Sequence, residues 1–328
     1  MESRTKRALT APALDALLRR AAGAGVASAE ELADGFANVV WRLRLTDGRR
    51  LVLKLSPPPD LEQLTYERDL LRTEALVHRL CAGAGVPCAR LLREGRDDPV
   101  LGGDYLLLAD LDGVPWNHAA GLTEGEQRAV RRELGRHLAV LNSVTGEHFG
   151  YPRGELRGAT WREAFLRMAA ALLADAARYD TPLPLPAGEI AAVVEAAAGV
   201  LDEVRRPALV HFDIWPGNVF LAPGGGPPRI QAIIDFERAF FGDPLADFVT
   251  PTIFGELTES DEMVTGYREA GGKVEFTPPA AARLTLYRVY LYLILLVENG
   301  PRQYPEDAYA PLRDRATAAL VKAVDFLR

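Results

Sequence analysis

Apolar and polar residues alternate through Gly35-Phe-Ala-Asn-Val-Val-Trp-Arg-Leu-Arg-Leu45, which predicts a half-buried strand. Thr46-Asp-Gly48 reads as a turn, and Arg50–Leu55 returns as a second strand. Upstream, residues 10–34 read as a helix with a short connector, because Leu14, Leu17 and Leu18 share one helical face. Downstream, roughly Leu64–Ala82 carries Leu70, Leu71, Val77 and Leu80 at helical spacing, and Gly83–Pro87 ends it. Val86–Leu92 and Asp104–Ala109 predict two further strands with a charged turn between them.

The pattern then turns polar at Asp110-Leu-Asp-Gly113 and becomes mostly helical. Residues 120–143 form one predicted helix, opened by the Thr123/Glu126 capping box and striped by Val130, Leu134, Leu138 and Leu141. Residues 160–178 form the next, with Thr160 and Glu163 as a second capping box, and Glu189–Val204 gives a third. Residues 249–328 read as mainly helical, with Ala281–Val297 as a core helix. Two units are therefore expected, 1–110 and 111–328.

Between the helices, Val219–Leu221 and Ile230–Ile234 flank Pro223-Gly-Gly-Gly-Pro-Pro228, a hairpin signature. That hairpin brings Asn218, just before its first strand, towards Asp235, just after its second. Asp213 stands five residues before Asn218, on the loop opened by His211. Two carboxylates and an amide oxygen suit Mg²⁺ shared with substrate phosphates. An acid free of the metal can take a proton from an attacking hydroxyl. The pattern H-x-D-x-x-x-x-N followed by an Asp is the framework of kinase phosphoryl transfer.

Lys54 sits inside an apolar strand and needs a partner or ligand there. Glu74, central on the following helix, is its expected partner, with Glu67 as the competitor. Gly35, Phe36, Ala37 and Asn38 fall where backbone N–H groups could lie over phosphates, and the backbone near Ala109 and Leu111 could bond an adenine edge. Asp243 and Pro244 read as a helix entry, placing Asp247 on the first turn to brace the catalytic loop.

Composition narrows the class. Lys plus Arg balance Asp plus Glu over residues 1–110, so the whole net charge of −7 lies in 111–328. That excludes a basic nucleic-acid footprint and inclines the acceptor towards a cation. The longest apolar run, Val289–Val297, is too short to span a bilayer, and the two cysteines, Cys81 and Cys88, form no metal-ligand pattern. A soluble protein of the cytoplasm, with no membrane, nucleic-acid or obligate protein partner, is expected.

His211–Asn218, Ile234-Asp235 and Gly242-Asp-Pro-Leu-Ala-Asp247 together resemble the aminoglycoside phosphotransferase family of protein-kinase-like small-molecule kinases. The resemblance implies an α+β bilobal fold: a five-stranded antiparallel N-lobe sheet with one main helix, and a mostly helical C-lobe. It implies transfer of the γ-phosphoryl of ATP or GTP to a small-molecule hydroxyl. Asp213 would act as base, Asn218 and Asp235 would hold Mg²⁺, and Lys54 with Glu74 would contact phosphates. Ala109 and Leu111 would serve as hinge, and His211 and Asp247 as supports. Trp215, Glu237 and Glu298 are candidates for the acceptor pocket. Many members have Gly where Phe212 stands, and Trp215 resembles the H-G-D-L-W pattern of fructosamine kinases. An aminoglycoside-like antibiotic is the first expectation for the acceptor. A fructosamine, choline or homoserine kinase type is the alternative, and a catalytically silent pseudokinase the rival from another class.

Overall fold

Thr10 caps helix α1 (Ala11–Ala22), its hydroxyl accepting the Ala13 N–H at 3.4 Å, and Gly23 at φ +77 ends it. The computed structural model describes residues 9–32, 39–58, 61–98 and 101–328. The expected phosphate-covering stretch at Gly35, Phe36, Ala37 and Asn38 lies outside the described residues.

Strand β1 (Val26–Leu32) follows α1, where only a connector was expected. Its five inner residues are all exposed, so it shows no alternation and left no pattern to read. It pairs along the edge of β2 (Val39–Leu45), which pairs in turn with β3 (Arg50–Leu55). With β4 (Leu91–Asp98) and β5 (Gly103–Ala109) these strands make one antiparallel sheet in the order β1-β2-β3-β5-β4. The expected charged turn is itself strand β4, and the strand expected at Val86–Leu92 begins only at Leu91. β4 lies at the sheet edge, where charged side chains such as Arg93 and Arg96 discourage pairing with another chain.

Helix α2 (Leu70–Ala84) starts later than its apolar pattern suggested. Thr65–Glu67 is a short 3-10 turn, and Asp69 at φ +62 breaks the path between turn and helix. The buried face of α2 includes Leu71, Glu74, Val77 and His78.

The remaining chain is built around helices α3 (Glu124–Ser143), α4 (Trp161–Arg178), α5 (Ala187–Ala197), α6 (Glu262–Glu269), α7 (Pro278–Val297), α8 (Asn299–Arg302) and α9 (Glu306–Leu327). The α3 capping box forms as expected, Thr123 and Glu126 bonding reciprocally. At α4 only half of the box forms: Thr160 accepts the Glu163 N–H, while the Glu163 carboxylate takes the Ala159 N–H instead. The segment Pro278–Arg302 is, among the described residues, the one helical stretch long and apolar enough to cross a membrane. Its apolar window is 83% buried inside the protein, so it reads as a core helix. It packs Tyr287 and Tyr290 into a cluster with Trp161, Phe165, Phe212 and Phe240.

Candidate active site

The hairpin forms as its sequence predicts, Val219–Leu221 against Ile230–Ile233. At its open end the Ile234 N–H donates to the Asn218 carbonyl at 3.0 Å, which sets Asp235 beside Asn218. The Asn218 amide nitrogen donates to the Asp213 carbonyl at 2.9 Å and stands 3.4 Å from its carboxylate. Gly217 lets the Trp215 ring lie close over this turn: a Cβ on it would come within 2.1 Å of the ring and displace it. Trp215 itself is 37% exposed at the edge of this loop.

Lys54 on β3 crosses the gap between sheet and hairpin. Its ammonium donates to Glu74 Oε1 and to Asp235 Oδ1, each at 2.7 Å. The choice between the two glutamates is settled by what Glu67 does instead. It accepts from the Arg302 guanidinium at 2.5 Å and from the Leu64 N–H at 2.9 Å. Burial opposes the Lys54 charge, but Asp235, Glu74 and Glu237 outweigh it and raise the lysine pKa. Burial would raise Glu74 in turn, yet Lys54 and His78 pull it down to about 2. The pair is therefore ionised throughout the physiological range.

Glu237 completes a cluster in which Glu74, Asp235 and Glu237 each present an oxygen within 4.8 Å of the others. Burial, and then Asp235, push the Glu237 pKa well up. Glu237, expected along an acceptor pocket, thus stands beside the ion pair of Lys54 with Glu74 and Asp235. One carboxylate oxygen of Glu74 is buried without a hydrogen-bond partner among the described residues. Crowded oxygens with an orphaned acceptor fit a hard divalent cation better than they fit one another.

His211 is fully buried and works as a clamp. Its Nε2 lies 3.0 Å from the Ile234 carbonyl, and its Nδ1 accepts the Asp213 N–H at 3.2 Å. Burial lowers its pKa, and the neutral ring joins the loop of Asp213 to the strand before Asp235. Asp247 holds the loop from behind: one oxygen accepts the N–H groups of His211 at 2.8 Å and Phe212 at 2.9 Å. Its other oxygen accepts the Asn142 amide at 2.7 Å. Asp243 caps Pro244–Phe248 as expected, through the Leu245 N–H at 3.1 Å, although the element is a 3-10 helix.

Phe212 adopts φ +60, the left-handed region that favours glycine. Its ring is anchored against Phe240 and Tyr290, at 5.1 and 5.8 Å. The backbone cost of ~1–2 kcal/mol is offset by that burial and by the bond to Asp247.

Asp213 points towards Arg238, whose Nη1 stands 3.7 Å from its carboxylate. Arg238 also donates to Glu298 at 2.9 Å, and Glu298 accepts from Arg302 at 2.6 Å. Glu298, expected along an acceptor pocket, is 4% exposed and tied to both arginines. Burial raises the Asp213 pKa to about 6, with Arg238 working against it. Arg238, His78 and Asn142 escaped the sequence reading. Arg238 alone left a signal there, as a charge inside the apolar run after Asp235. At the expected hinge, the Ala109 N–H is bonded to the Arg90 carbonyl at 2.9 Å, and Leu111 is half-buried.

A profile of the phosphotransferase enzyme family (APH) matches residues 28–284. Among curated proteins, the mouse acyl-CoA dehydrogenase family member 10 is 23% identical over 246 residues, spanning 72% of this chain and 21% of that protein. A probable ketoamine kinase of Staphylococcus aureus is 30% identical over 113 residues, 31% of this chain and 36% of its own length. The chain therefore spans about a fifth and about a third of these two relatives. Among solved structures, aminoglycoside phosphotransferase APH(4)-Ia superposes with a TM-score of 0.63 at 19% identity, covering 97% of this chain and 99% of that one, a likeness of fold. The five-stranded antiparallel sheet, the lysine-bridged carboxylates and the span of the profile lead to one conclusion: the chain belongs to the phosphotransferase enzyme family.

Proposed function

We propose that the protein transfers the γ-phosphoryl group of ATP or GTP to a hydroxyl of a small, polar, amine-bearing acceptor. The observation that carries this reading is Lys54 bonded to both Glu74 and Asp235 at 2.7 Å, with Asp213 and Asn218 adjoining across the hairpin end. Lys54 is positioned by Glu74 to meet the donor's phosphates, and the loop tied to Asp247 fixes the direction of Asp213. Asn218 and Asp235, with Glu237 beside them, would hold Mg²⁺. The ion, when bound, supplies charge neutralisation for the transferring phosphoryl group. Asp213 receives the proton of the acceptor hydroxyl, and rate comes mainly from positioning.

The acceptor is proposed from two sides. The charge of −7 beyond residue 110 supports a cationic acceptor of the aminoglycoside kind. Glu298, however, is neutralised by Arg238 and Arg302, which leaves fewer free carboxylates for a polycation and favours an acceptor with a single amine, of the ketoamine kind. Both classes join amines to sugar hydroxyls. A coupled nucleoside-diphosphate release assay with Mg²⁺, over aminoglycosides, ketosamines, amino sugars and choline-like alcohols, separates them. Release that depends on one class and vanishes in Asp213→Ala supports the reading. Nucleotide binding with no transfer to any acceptor, in the wild type, points instead to a silent nucleotide-binding module.

The raised pKa of Asp213 gives the reading a pH dependence. The base works ionised, so kcat/KM is at its plateau above about 6 and falls as pH drops through that value. Below it the decline approaches about tenfold per pH unit. A profile measured from pH 4.5 to 8.5 checks this, and one flat down to pH 4.5 removes Asp213 as the titrating base.

A further inference from the structure

A cavity of about 630 Å³ opens between the N-terminal half of α7, α9 and the segments 254–257 and 275–276, lined by none of the residues assigned above to phosphoryl transfer. That volume falls within the ~300–1,000 Å³ of small-molecule pockets. Its floor is apolar and buried, formed by Leu245, Ala280 and Ala323. Its rim carries Phe276 and Phe326, 42% and 62% exposed, two of the five large apolar side chains exposed among the described residues. Clustered exposure of this kind marks binding surfaces more often than chance does.

One wall is built at a cost. Phe254 is held at φ +60, its ring stacked on Tyr292 at 5.6 Å and 3° and covered by the Arg315 guanidinium at 4.3 Å. Strained residues persist where surroundings over-determine them, and they gather at ligand sites. Beside it, Arg288 donates to the Gly255 carbonyl at 3.1 Å, while its Nε is buried without a partner among the described residues. Neither Arg288 nor Arg315 has a carboxylate partner among the described residues. The other charges are Lys322 and Glu256, 3.9 Å apart, and Glu275. The groove thus carries one net positive charge in the part of the chain that holds the whole −7.

We propose that this groove binds a free amphipathic anion, an aliphatic body with a single carboxylate head. The body would lie over the floor between Ala280 and Ala323, and the head would reach Arg288 and Arg315, which have no carboxylate partner among the described residues. The assignment is independent of the phosphotransfer reading.

Calorimetric titration of the full chain with dodecanoate and with dodecylammonium, both below micelle formation, tests it. Dodecanoate is expected to bind saturably at one site and the ammonium not to. Arg315→Gln and Arg288→Gln are each expected to weaken binding by about tenfold, the scale of one lost charge-assisted contact. Ala319→Trp fills the groove and is expected to abolish binding, with the fold checked by its melting curve. Equal affinity for the two amphiphiles overturns the proposal, as does the absence of saturable binding. Self-association relieved by Ala319→Trp, without dodecanoate binding, also overturns it and assigns the face to a second copy of the chain.

Discussion

Asp213→Asn is expected to lower kcat by about 10²–10⁴-fold and to leave the protein at least as stable as the wild type above about pH 6. The loss of rate is the usual worth of a positioned general base, about 3–5 kcal/mol of barrier. Asparagine keeps the shape of the side chain and its neighbourhood with Asn218, so the loop geometry survives and only the proton acceptor goes. Nucleotide affinity is expected to change by less than about tenfold, or ~1.4 kcal/mol, because Lys54 and Glu74 stay where they are.

The stability half follows from the sign of the pKa shift. Burial lifts the Asp213 carboxyl from an ordinary 3.8 to about 6 in the folded state. A carboxylate shifted in that direction penalises the folded state once pH passes 3.8, and the penalty is complete above about 6. It amounts to roughly 3 kcal/mol at most. Asparagine removes the penalty, and Arg238 keeps Glu298 at 2.9 Å as its remaining partner. Single-turnover transfer, nucleotide titration and urea unfolding at pH 7.5 measure the three quantities. An unchanged kcat would falsify the role of Asp213 as base, whereas a large fall in stability would assign it a structural duty instead.

The same physics decides how much of the molecule could be read from the chain. The hairpin and the order of Asp213, Asn218 and Asp235 were legible because local patterns specify them: two apolar runs around a Pro-Gly turn set the meeting of residues far apart in sequence. β1 and β4 were not legible. They are edge strands with exposed or charged side chains, so burial imposes no period of two on them. The start of α2 was misplaced because Leu64 and Tyr66 are as buried as the residues of the helix, and the break at Asp69 is a matter of backbone path. Glu74 and Glu67 could not be ranked from spacing alone. What separates them is Arg302, 235 residues further on, which takes Glu67 away from the lysine. Asn142 was missed for the same reason, and Arg238 showed only as a charge in an apolar run, since the partners of both are brought to them by the fold.

Asp247→Ala is expected to cost at least as much as any other substitution near the site, in stability as well as rate. Asp247 is fully buried and satisfies three donors at once: the N–H groups of His211 and Phe212 and the amide of Asn142. Removing it strands buried donors at about 1–3 kcal/mol each, with the Asn142 amide still holding the Leu209 carbonyl at 2.8 Å. A total above about 3 kcal/mol is therefore expected in urea unfolding. Rate falls through the backbone. Without Asp247, Phe212 has lost a main restraint on its φ of +60, and relaxation towards the extended region re-aims Asp213, the next residue. A displacement of about 1 Å costs about 10²-fold where positioning carries the rate. Adding Phe212→Gly to Asp247→Ala separates the two effects. Glycine accepts a positive φ without strain, so part of kcat returns, while the lost ring contacts with Phe240 and Tyr290 lower stability further. If kcat and stability instead fall together in the double variant, Asp247 acts through folding alone, and the loop is held in register by His211 and its bond to Ile234.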